Sequence, residues 1–281
     1  MHIAELQIGQ EKEALAFLEL DPVRNLRMVW ALRRWGLFDL GLPEQGRYLA
    51  ARGVKGIQGL LFVNNQGMMR LAARGDTARA LAEQALSLWG VPQVLAGSEE
   101  EVEELLVAVE TLAQAVEHRE EEVSLAVSER ELIPCWGRAE EACEADIDAL
   151  IVLEMMLHEE LLGSCPANWI IRSQIRRSLE EGAAAMVRWD GKIAAKAEIE
   201  AATPHADELG GVYTIPELRR RGFAAAACTL VCRSSLQRGK TVRLETQRDN
   251  DAAIGLYEHL GFKKLWPHLA LRFKASGPSS A

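Results

Sequence analysis

The chain has 281 residues, 48% of them hydrophobic, and a formal net charge of −9. This length is enough for two domains of a soluble globular protein, and the acidic balance argues against non-specific nucleic-acid binding. No apolar run predicts a membrane span, and the first residues lack the basic-then-apolar pattern of a secretory signal. The five cysteines have no framework spacing, which favours a reducing, cytoplasmic setting.

The pattern of helices and strands over residues 1–130 predicts a first, smaller α/β domain. A capping box formed by Ser98 and Glu101 starts a helix whose apolar stripe continues to Val116. The other predicted helices are Glu11–Leu20, Val23–Arg34 (capped by Asp21) and Asp76–Trp89; the predicted strands are Gly53–Asn64, Met68–Ala73 and Val123–Val127.

Residues 131–275 predict a second domain, followed by a disordered tail over 276–281. Its strands are first antiparallel and then joined by crossover helices, which predicts an α/β fold with a mixed sheet and helices on both faces. The predicted helices are Asp146–Leu161, Asn168–Glu181, Arg219–Gln237 and Asn250–Gly261; the predicted strands are Ala183–Trp189 and Lys192–Glu200 around an Asp190-Gly191 turn, Leu209–Thr214, Thr241–Thr246 and Lys263–Phe273.

The stretch Gly210–Phe262 contains the strongest functional signal. Its first strand leads into Arg219-Arg220-Arg221-Gly222 and then a helix, whose first turn has unpaired N–H groups and a positive dipole end. Eight basic and two acidic residues between 210 and 248 give a local charge of +6, which indicates a polyanionic ligand. The alternative is a solvated helix start with ordinary surface arginines.

Two motifs in this stretch resemble the GCN5-related N-acetyltransferase (GNAT) superfamily. The pattern R-x-x-G-x-A at 219–224 resembles its pyrophosphate-binding motif, and N-x-x-A-x-x-L-Y-E-x-x-G-F at 250–262 resembles its last-helix motif. The resemblance covers roughly Asp146 to Phe273. The first half shows neither motif but has a compatible element order, so the chain resembles two-domain bacterial members with a degenerate, GNAT-like N-terminal half.

The resemblance implies that the C-terminal half has the GNAT fold, binds acetyl-CoA or a related acyl-CoA, and transfers the acetyl group directly to a primary amine of a small molecule or peptide. No metal is implied. Backbone groups at the end of the central strand would bond the pantetheine arm, so the Tyr213 side chain itself is expected to be structural. Asn250 is equally a favoured N-cap. The implied cofactor-binding residues are Val212, Tyr213, Thr214, Arg219, Arg220, Arg221, Gly222, Phe223, Ala224 and Asn250.

The resemblance also implies two catalytic residues. Tyr257 would protonate the departing CoA thiolate; the alternative is a core aromatic residue with its hydroxyl on a backbone carbonyl. Glu245, twelve residues earlier, would take the proton of the acceptor ammonium, with the thioester near both side chains. The alternative is an ion pair of Glu245 with Arg243 or Arg248, and Glu198 is a rival base.

The expected partners are acetyl-CoA and an amine acceptor, with no nucleic acid and no membrane. The acceptor would lie near the helices between Asp146 and Glu181, whose acidic residues fit a cationic amine or an exposed helix face. The first domain would wall this cleft or form a homodimer interface. The alternative functions are a non-catalytic acyl-CoA-binding regulatory protein and a nucleotide-phosphate-binding module.

Overall fold

The chain passes twice through one order of secondary structure in the computed structural model, which describes residues 1–163, 165–180 and 184–274. Each pass runs strand, two helices, three strands, helix, strand, helical segment and strand. The first pass comprises β1 (His2–Glu5), α1 (Glu11–Leu18), α2 (Leu26–Trp35), β2 (Gly46–Gly53), β3 (Gly56–Asn64), β4 (Met68–Ala72), α3 (Gly75–Trp89), β5 (Val94–Ser98), α4 (Glu99–Ala108), α5 (Glu110–Ala115) and β6 (Val116–Val127). The second comprises β7 (Ala139–Glu141), α6 (Ile147–Leu162), α7 (Asn168–Glu180), β8 (Ala184–Trp189), β9 (Lys192–Ala202), β10 (Ala206–Thr214), α8 (Phe223–Leu236), β11 (Thr241–Gln247), α9 (Asp251–His259) and β12 (Lys263–Phe273). The tail predicted over 276–281 lies outside the described residues.

The contacts divide the chain into two compact units. Among the described residues, the first unit contains 1–124, 245–249 and 265–274; the second contains 125–244 and 250–264. This division differs from a single cut near residue 130, because the first unit takes up most of the last strand. That residues 1–130 form an N-terminal domain and residues 131–275 a GNAT acetyltransferase domain stays a prediction.

The first unit is built on a sheet with the strand order β1-β2-β3-β4-β5-β12-β6. The last strand of the chain, β12, pairs antiparallel with β5 from His268 opposite Ser98 to Arg272 opposite Val94. Helices α3 and α4 cover this sheet through Leu81 and other buried side chains of one apolar cluster. Burial of such a cluster is the main favourable term that holds the unit together.

Two predicted elements of the first unit differ in the structure. Helix α2 begins at Leu26, later than predicted, although the predicted cap Asp21 accepts the Arg24 N–H (3.1 Å), the bond that an N-cap makes three residues along the chain. The predicted helix from Ser98 divides into α4 and α5 at Val109, whose φ of −127° is not helical. The predicted apolar stripe is therefore carried by two short helices.

The second unit has the strand order β7-β8-β9-β10-β11. Strands β8 and β9 form the predicted hairpin, and its turn residues Asp190 and Gly191 both have positive φ, as a two-residue hairpin turn with right-handed strand twist requires. Helices α6 and α7 pack on these strands, with Ile151 and Ile171 buried against Met186. This packing fixes α6 and β10, which carry the residues described next.

Candidate functional site

The turn between β10 and α8 has the geometry of an anion-binding loop. After a short 3-10 turn at Pro216–Leu218, Arg220 (φ 62°) and Gly222 (φ 78°) both adopt left-handed backbone conformations. Gly222 occupies the N-cap position of α8 and is exposed, and a β-carbon added there would meet no atom within 4 Å. The first N–H groups of α8, at Phe223 and Ala224, have no intrahelical acceptors and open onto this space.

The three arginines of the turn have different surroundings. The Arg219 guanidinium pairs with Glu160 (Nη2 to Oε2, 2.6 Å), donates to the Thr214 carbonyl (3.1 Å) and lies 5.6 Å from the ring centre of Tyr213. Arg221 instead lies over an aromatic ring, that of Trp189. Within the described part of the chain, neither Arg220 nor Arg221 has a carboxylate at ion-pair distance, so these two exposed cations are the ones open to a diphosphate.

Strand β10 is irregular where the pantetheine arm is predicted to bind. Gly210 lies opposite Glu198 and Tyr213 lies opposite Lys196, so two residues of β10 face a single residue of β9. This bulge displaces the backbone around Val212 from the regular ladder. Strand β10 pairs parallel with β11 only over its first three residues, 206–208. Beyond them, among the described residues, the side of β10 that faces β11 has no regular pairing up to the turn. Backbone binding at 212–214 stays a prediction.

Tyr213 has a structural environment, as the sequence indicates. Its side chain is buried in the apolar cluster of the second unit, and its hydroxyl donates to the Glu160 carboxylate (3.2 Å). Burial and the neighbouring Glu160 raise the pKa of the phenol. The side chain therefore joins α6 to β10 and is not a candidate for proton transfer.

Helix α9 carries Asn250 and Tyr257. Asn250 caps the helix by accepting the Ala253 N–H (3.1 Å), which confirms the capping alternative. Tyr257 is buried, its ring lies 5.7 Å from that of Phe262, and its hydroxyl has no hydrogen-bond partner among the described residues. Burial raises the pKa of this phenol well above its usual value, with smaller contributions from neighbouring acidic groups such as Cys228. Tyr257 therefore carries a proton at neutral pH.

The rival base Glu198 belongs to a buried ionic cluster. The Lys196 ammonium lies 2.8 Å from Glu198 Oε1 and 2.5 Å from Glu154 Oε2, and all three side chains are nearly inaccessible to solvent. Gly211 is required beside this cluster, because a β-carbon there would collide with Glu198. A carboxylate committed to a buried ammonium is poorly placed to accept a proton from a substrate.

Glu245 belongs to the first unit, where it contacts a histidine that the sequence analysis did not single out. His268 Nε2 lies 3.3 Å from Glu245 Oε1, and His268 Nδ1 lies 2.8 Å from Glu122 Oε2. Among the described residues these three are the group close enough to share a metal ion. Each ring nitrogen of His268 thus faces its own carboxylate oxygen, so the histidine joins Glu122 to Glu245.

The two arginines proposed as alternative partners of Glu245 have carboxylates of their own. Arg243 lies 2.6 Å from Glu208, and Arg248 lies 3.0 Å from Glu99. Each arginine therefore has a second acidic neighbour, and the alternative that Glu245 pairs with Arg243 or Arg248 stays a prediction.

Most acidic residues of the predicted acceptor region form ion pairs within the protein. Asp146 pairs with Arg188, Asp148 with Arg172, Glu154 with Lys196 and His158, and Glu160 with Arg219. Their pairing gives these acidic residues structural partners, so their number alone does not indicate a cationic acceptor.

Comparisons with known proteins agree with this geometry. Residues 154–262 match the model of the Acetyltransferase (GNAT) family. A GNAT-family acetyltransferase from Colwellia psychrerythraea superposes with a TM-score of 0.64 at 14% identity, covering 98% of this chain and 100% of that one. A GCN5-related N-acetyltransferase from Sphaerobacter thermophilus gives 0.65 at 14% identity, with 96% and 95% covered.

A tandem GNAT protein from the clavulanic acid biosynthesis pathway gives a TM-score of 0.59 at 13% identity, with 98% and 100% covered. At such low sequence identity, these superpositions show a shared fold and no more. A comparison with curated protein sequences finds no significant match. No helix in the described ranges combines the length and apolar character needed to cross a membrane. With the repeated element order, these findings show that the chain shares its fold with GNAT proteins and that its residues 154–262 match the GNAT acetyltransferase family.

Proposed function

We propose that this protein transfers an acetyl group from acetyl-CoA to a primary amine by direct attack. The observation that carries the proposal is the turn from Arg219 to Gly222, which lies inside the segment matching the acetyltransferase family. It combines an exposed helix N-terminus, a left-handed glycine with open space beside it, and two arginines without carboxylate partners among the described residues. These features together suit a diphosphate.

The proposed reaction requires three proton movements. The neutral acceptor amine attacks the thioester carbon, the C–N bond forms and the C–S bond breaks, and the departing thiolate needs a proton. Tyr257 supplies that proton, since burial keeps its phenol protonated at neutral pH. The attacking nitrogen gives up a proton, which passes through solvent and restores the Tyr257 phenol. The amine must first lose its own extra proton, which Glu245 accepts directly or through a water molecule. Positioning and backbone stabilisation of the oxyanion provide most of the acceleration.

Two observations favour Glu245 over Glu198 as the base. Glu198 is bound to the buried Lys196 ammonium (2.8 Å), so protonating it would leave that cation with less compensation. The Glu245 carboxylate contacts His268 Nε2 through Oε1 (3.3 Å) and has no buried lysine beside it in that contact. The contact fixes the orientation of Glu245, which makes His268 a positioning residue for the base.

Calorimetric titration with acetyl-CoA tests the binding site. Gly222→Asp places a carboxylate in the space beside the helix N-terminus, so affinity should fall by at least about 100-fold. Gly239→Asp is the matched control, because Gly239 also has positive φ, is exposed and has open space beside it, but follows the other end of α8. Equal affinities for the two variants would remove the turn as the diphosphate site.

The alternative function is acyl-CoA binding without turnover. The first pass through the fold favours it, since its turn and last helical segment lack the features of the second pass. Tight acetyl-CoA binding with no acetylated product for any amine would support this alternative. Preference for ATP over CoA would instead indicate a nucleotide-phosphate-binding module.

A further inference from the structure

Glu160 holds the arginine that the sequence motif assigns to the diphosphate. Its carboxylate oxygen Oε2 accepts from Arg219 Nη2 (2.6 Å) and from the Tyr213 hydroxyl (3.2 Å). Glu160 lies in the last turn of α6, 59 residues before Arg219 in the sequence. Hydrogen bonding to Arg219 lowers the pKa of this carboxyl, so Glu160 is ionised at neutral pH and presents a full negative charge to the turn.

The remaining contacts of Arg219 keep its side chain at the turn. Its Nε donates to the Thr214 carbonyl (3.1 Å), and its guanidinium lies over the Tyr213 ring at 5.6 Å. Neither contact brings a negative charge to the guanidinium. An anion arriving at the turn therefore competes with one group only, the Glu160 carboxylate, and Arg219 need not leave its position for the exchange.

We propose that Glu160 regulates cofactor affinity by competing with the CoA diphosphate for Arg219. The inference rests on the proposed acyl-CoA site and adds an exchange of partners to it. When a diphosphate takes the guanidinium, the last turn of α6 loses its ion pair to the turn. Because binding couplings are reciprocal, any change that loosens Glu160 from Arg219 should strengthen cofactor binding.

The expected size follows from exposure. Both side chains are more than two-fifths exposed, so solvent screens the pair. Such pairs contribute at most about 1 kcal/mol, which corresponds to an affinity change of up to about fivefold. The Glu160 carboxylate and a diphosphate can thus exchange at Arg219 without a large cost to cofactor binding.

The test compares Glu160→Gln with Glu159→Gln by calorimetric titration with coenzyme A at low ionic strength. The two variants remove the same charge from adjacent exposed positions of α6, but only Glu160 pairs with Arg219. We expect Glu160→Gln to tighten binding by about two- to fivefold relative to Glu159→Gln. Equal affinities for the two variants would overturn the exchange while leaving the cofactor site itself supported.

A double-mutant cycle removes general charge effects from this comparison. In an Arg219→Gln background, Glu160→Gln should change coenzyme A affinity by less than about 1.5-fold, because its competing partner is gone. A full gain in that background would assign the effect to bulk charge and overturn the proposal. Absence of any coenzyme A binding by the wild-type protein would overturn the proposed function, and this inference with it.

Discussion

The same strand–turn–helix unit occurs in both passes through the fold, but the two turns differ in length and in the partners of their arginines. In the first pass two residues, Ala73 and Arg74, join β4 to α3; in the second, residues 215–222 join β10 to α8. Arg74 is the single arginine of the short turn, and it lies 3.4 Å from Glu101. The longer turn exposes a helix N-terminus and two arginines without carboxylate partners in the described chain.

The helices that follow show the same contrast. Tyr257 is the seventh residue of α9, whereas the seventh residue of α4 is the fully buried Leu105. Strands β3 and β4 pair without the register shift that bulges β10 beside Gly211. The first pass has the same order of elements without the long turn, the bulge or the tyrosine. Apolar packing is therefore enough to hold this order of elements together. The features on which the proposed chemistry depends are therefore local features of the second pass.

The largest effect on catalysis should come from Tyr257→Phe. Removing the general acid should lower kcat on the order of 100-fold or more, while acetyl-CoA affinity stays within about twofold. Tyr48→Phe is the control from the first pass, because it also removes a buried hydroxyl, one that donates to the Met28 carbonyl (3.0 Å). An unchanged kcat in Tyr257→Phe would remove the acid role.

Replacing the proposed base should have a somewhat smaller effect. Glu245→Gln should lower kcat/KM about 10- to 100-fold at neutral pH, with recovery as rising pH deprotonates the amine without help. His268→Gln should give a smaller loss of about 3- to 10-fold, because Glu245 loses the side chain that orients it.

The control for the base is Glu198→Gln. It should leave kcat/KM within about threefold but lower Tm, since it removes a partner of the buried Lys196. A rate loss in Glu198→Gln with none in Glu245→Gln would exchange the two assignments.

The two turns can be compared directly through their arginines. Replacing both Arg220 and Arg221 by Gln should weaken acetyl-CoA binding by about tenfold or more and reduce its dependence on salt. Arg74→Gln, at the short turn of the first pass, should leave the affinity within about twofold. Similar losses from both turns, measured by calorimetry, would show that the first pass also contributes to the cofactor site.

Replacing Glu154 should have the smallest effect on the reaction. This residue instead affects how the free energy of unfolding changes at low pH. Burial alone would raise the pKa of Glu154, but the Lys196 ammonium and His158 outweigh it and hold the pKa at about 2, below the usual 4.5. The folded protein thus binds this proton less tightly than the unfolded chain. The contribution is present above pH 4.5 and is lost as pH falls towards 2.

Denaturant unfolding as a function of pH checks this assignment. The free energy of unfolding should fall by roughly 3 kcal/mol more in the wild type than in Glu154→Gln between pH 4.5 and 2. Glu159→Gln, an exposed change on the same helix, should follow the wild type. Parallel curves for the wild type and Glu154→Gln would contradict the ionic cluster.

The sequence predicted the elements of the second pass well because their signals are local. Asn250 and Gly239 mark helix ends, and the Asp190-Gly191 turn sets the β8–β9 hairpin. Strands β1, β2, β5 and β7 were missed, since they are short or lack alternation; β2 is buried at four successive positions. The pairing of β12 with β5 is a long-range choice that no local pattern reveals.

The site was predictable only where residues act through backbone position. The turn and the cap follow from spacing, but the partners of the charged side chains come from distant elements. His268 meets Glu122 across 146 residues, and Arg219 meets Glu160 across 59. A lone histidine on a predicted strand carries no local signal of such a contact, so ion-pair partners required the folded structure.

Turnover of acetyl-CoA against a panel of amino acids, polyamines, aminoglycosides and short peptides tests the central claim most directly. The acetylated product should be read by mass spectrometry, since the five protein thiols would react with a thiol-detecting dye. We expect an acetylated product with one class of amine, at least about 100-fold less of it in Tyr257→Phe, and an unchanged amount in Tyr48→Phe. Tight acetyl-CoA binding without product from any amine would contradict it and favour a non-catalytic role.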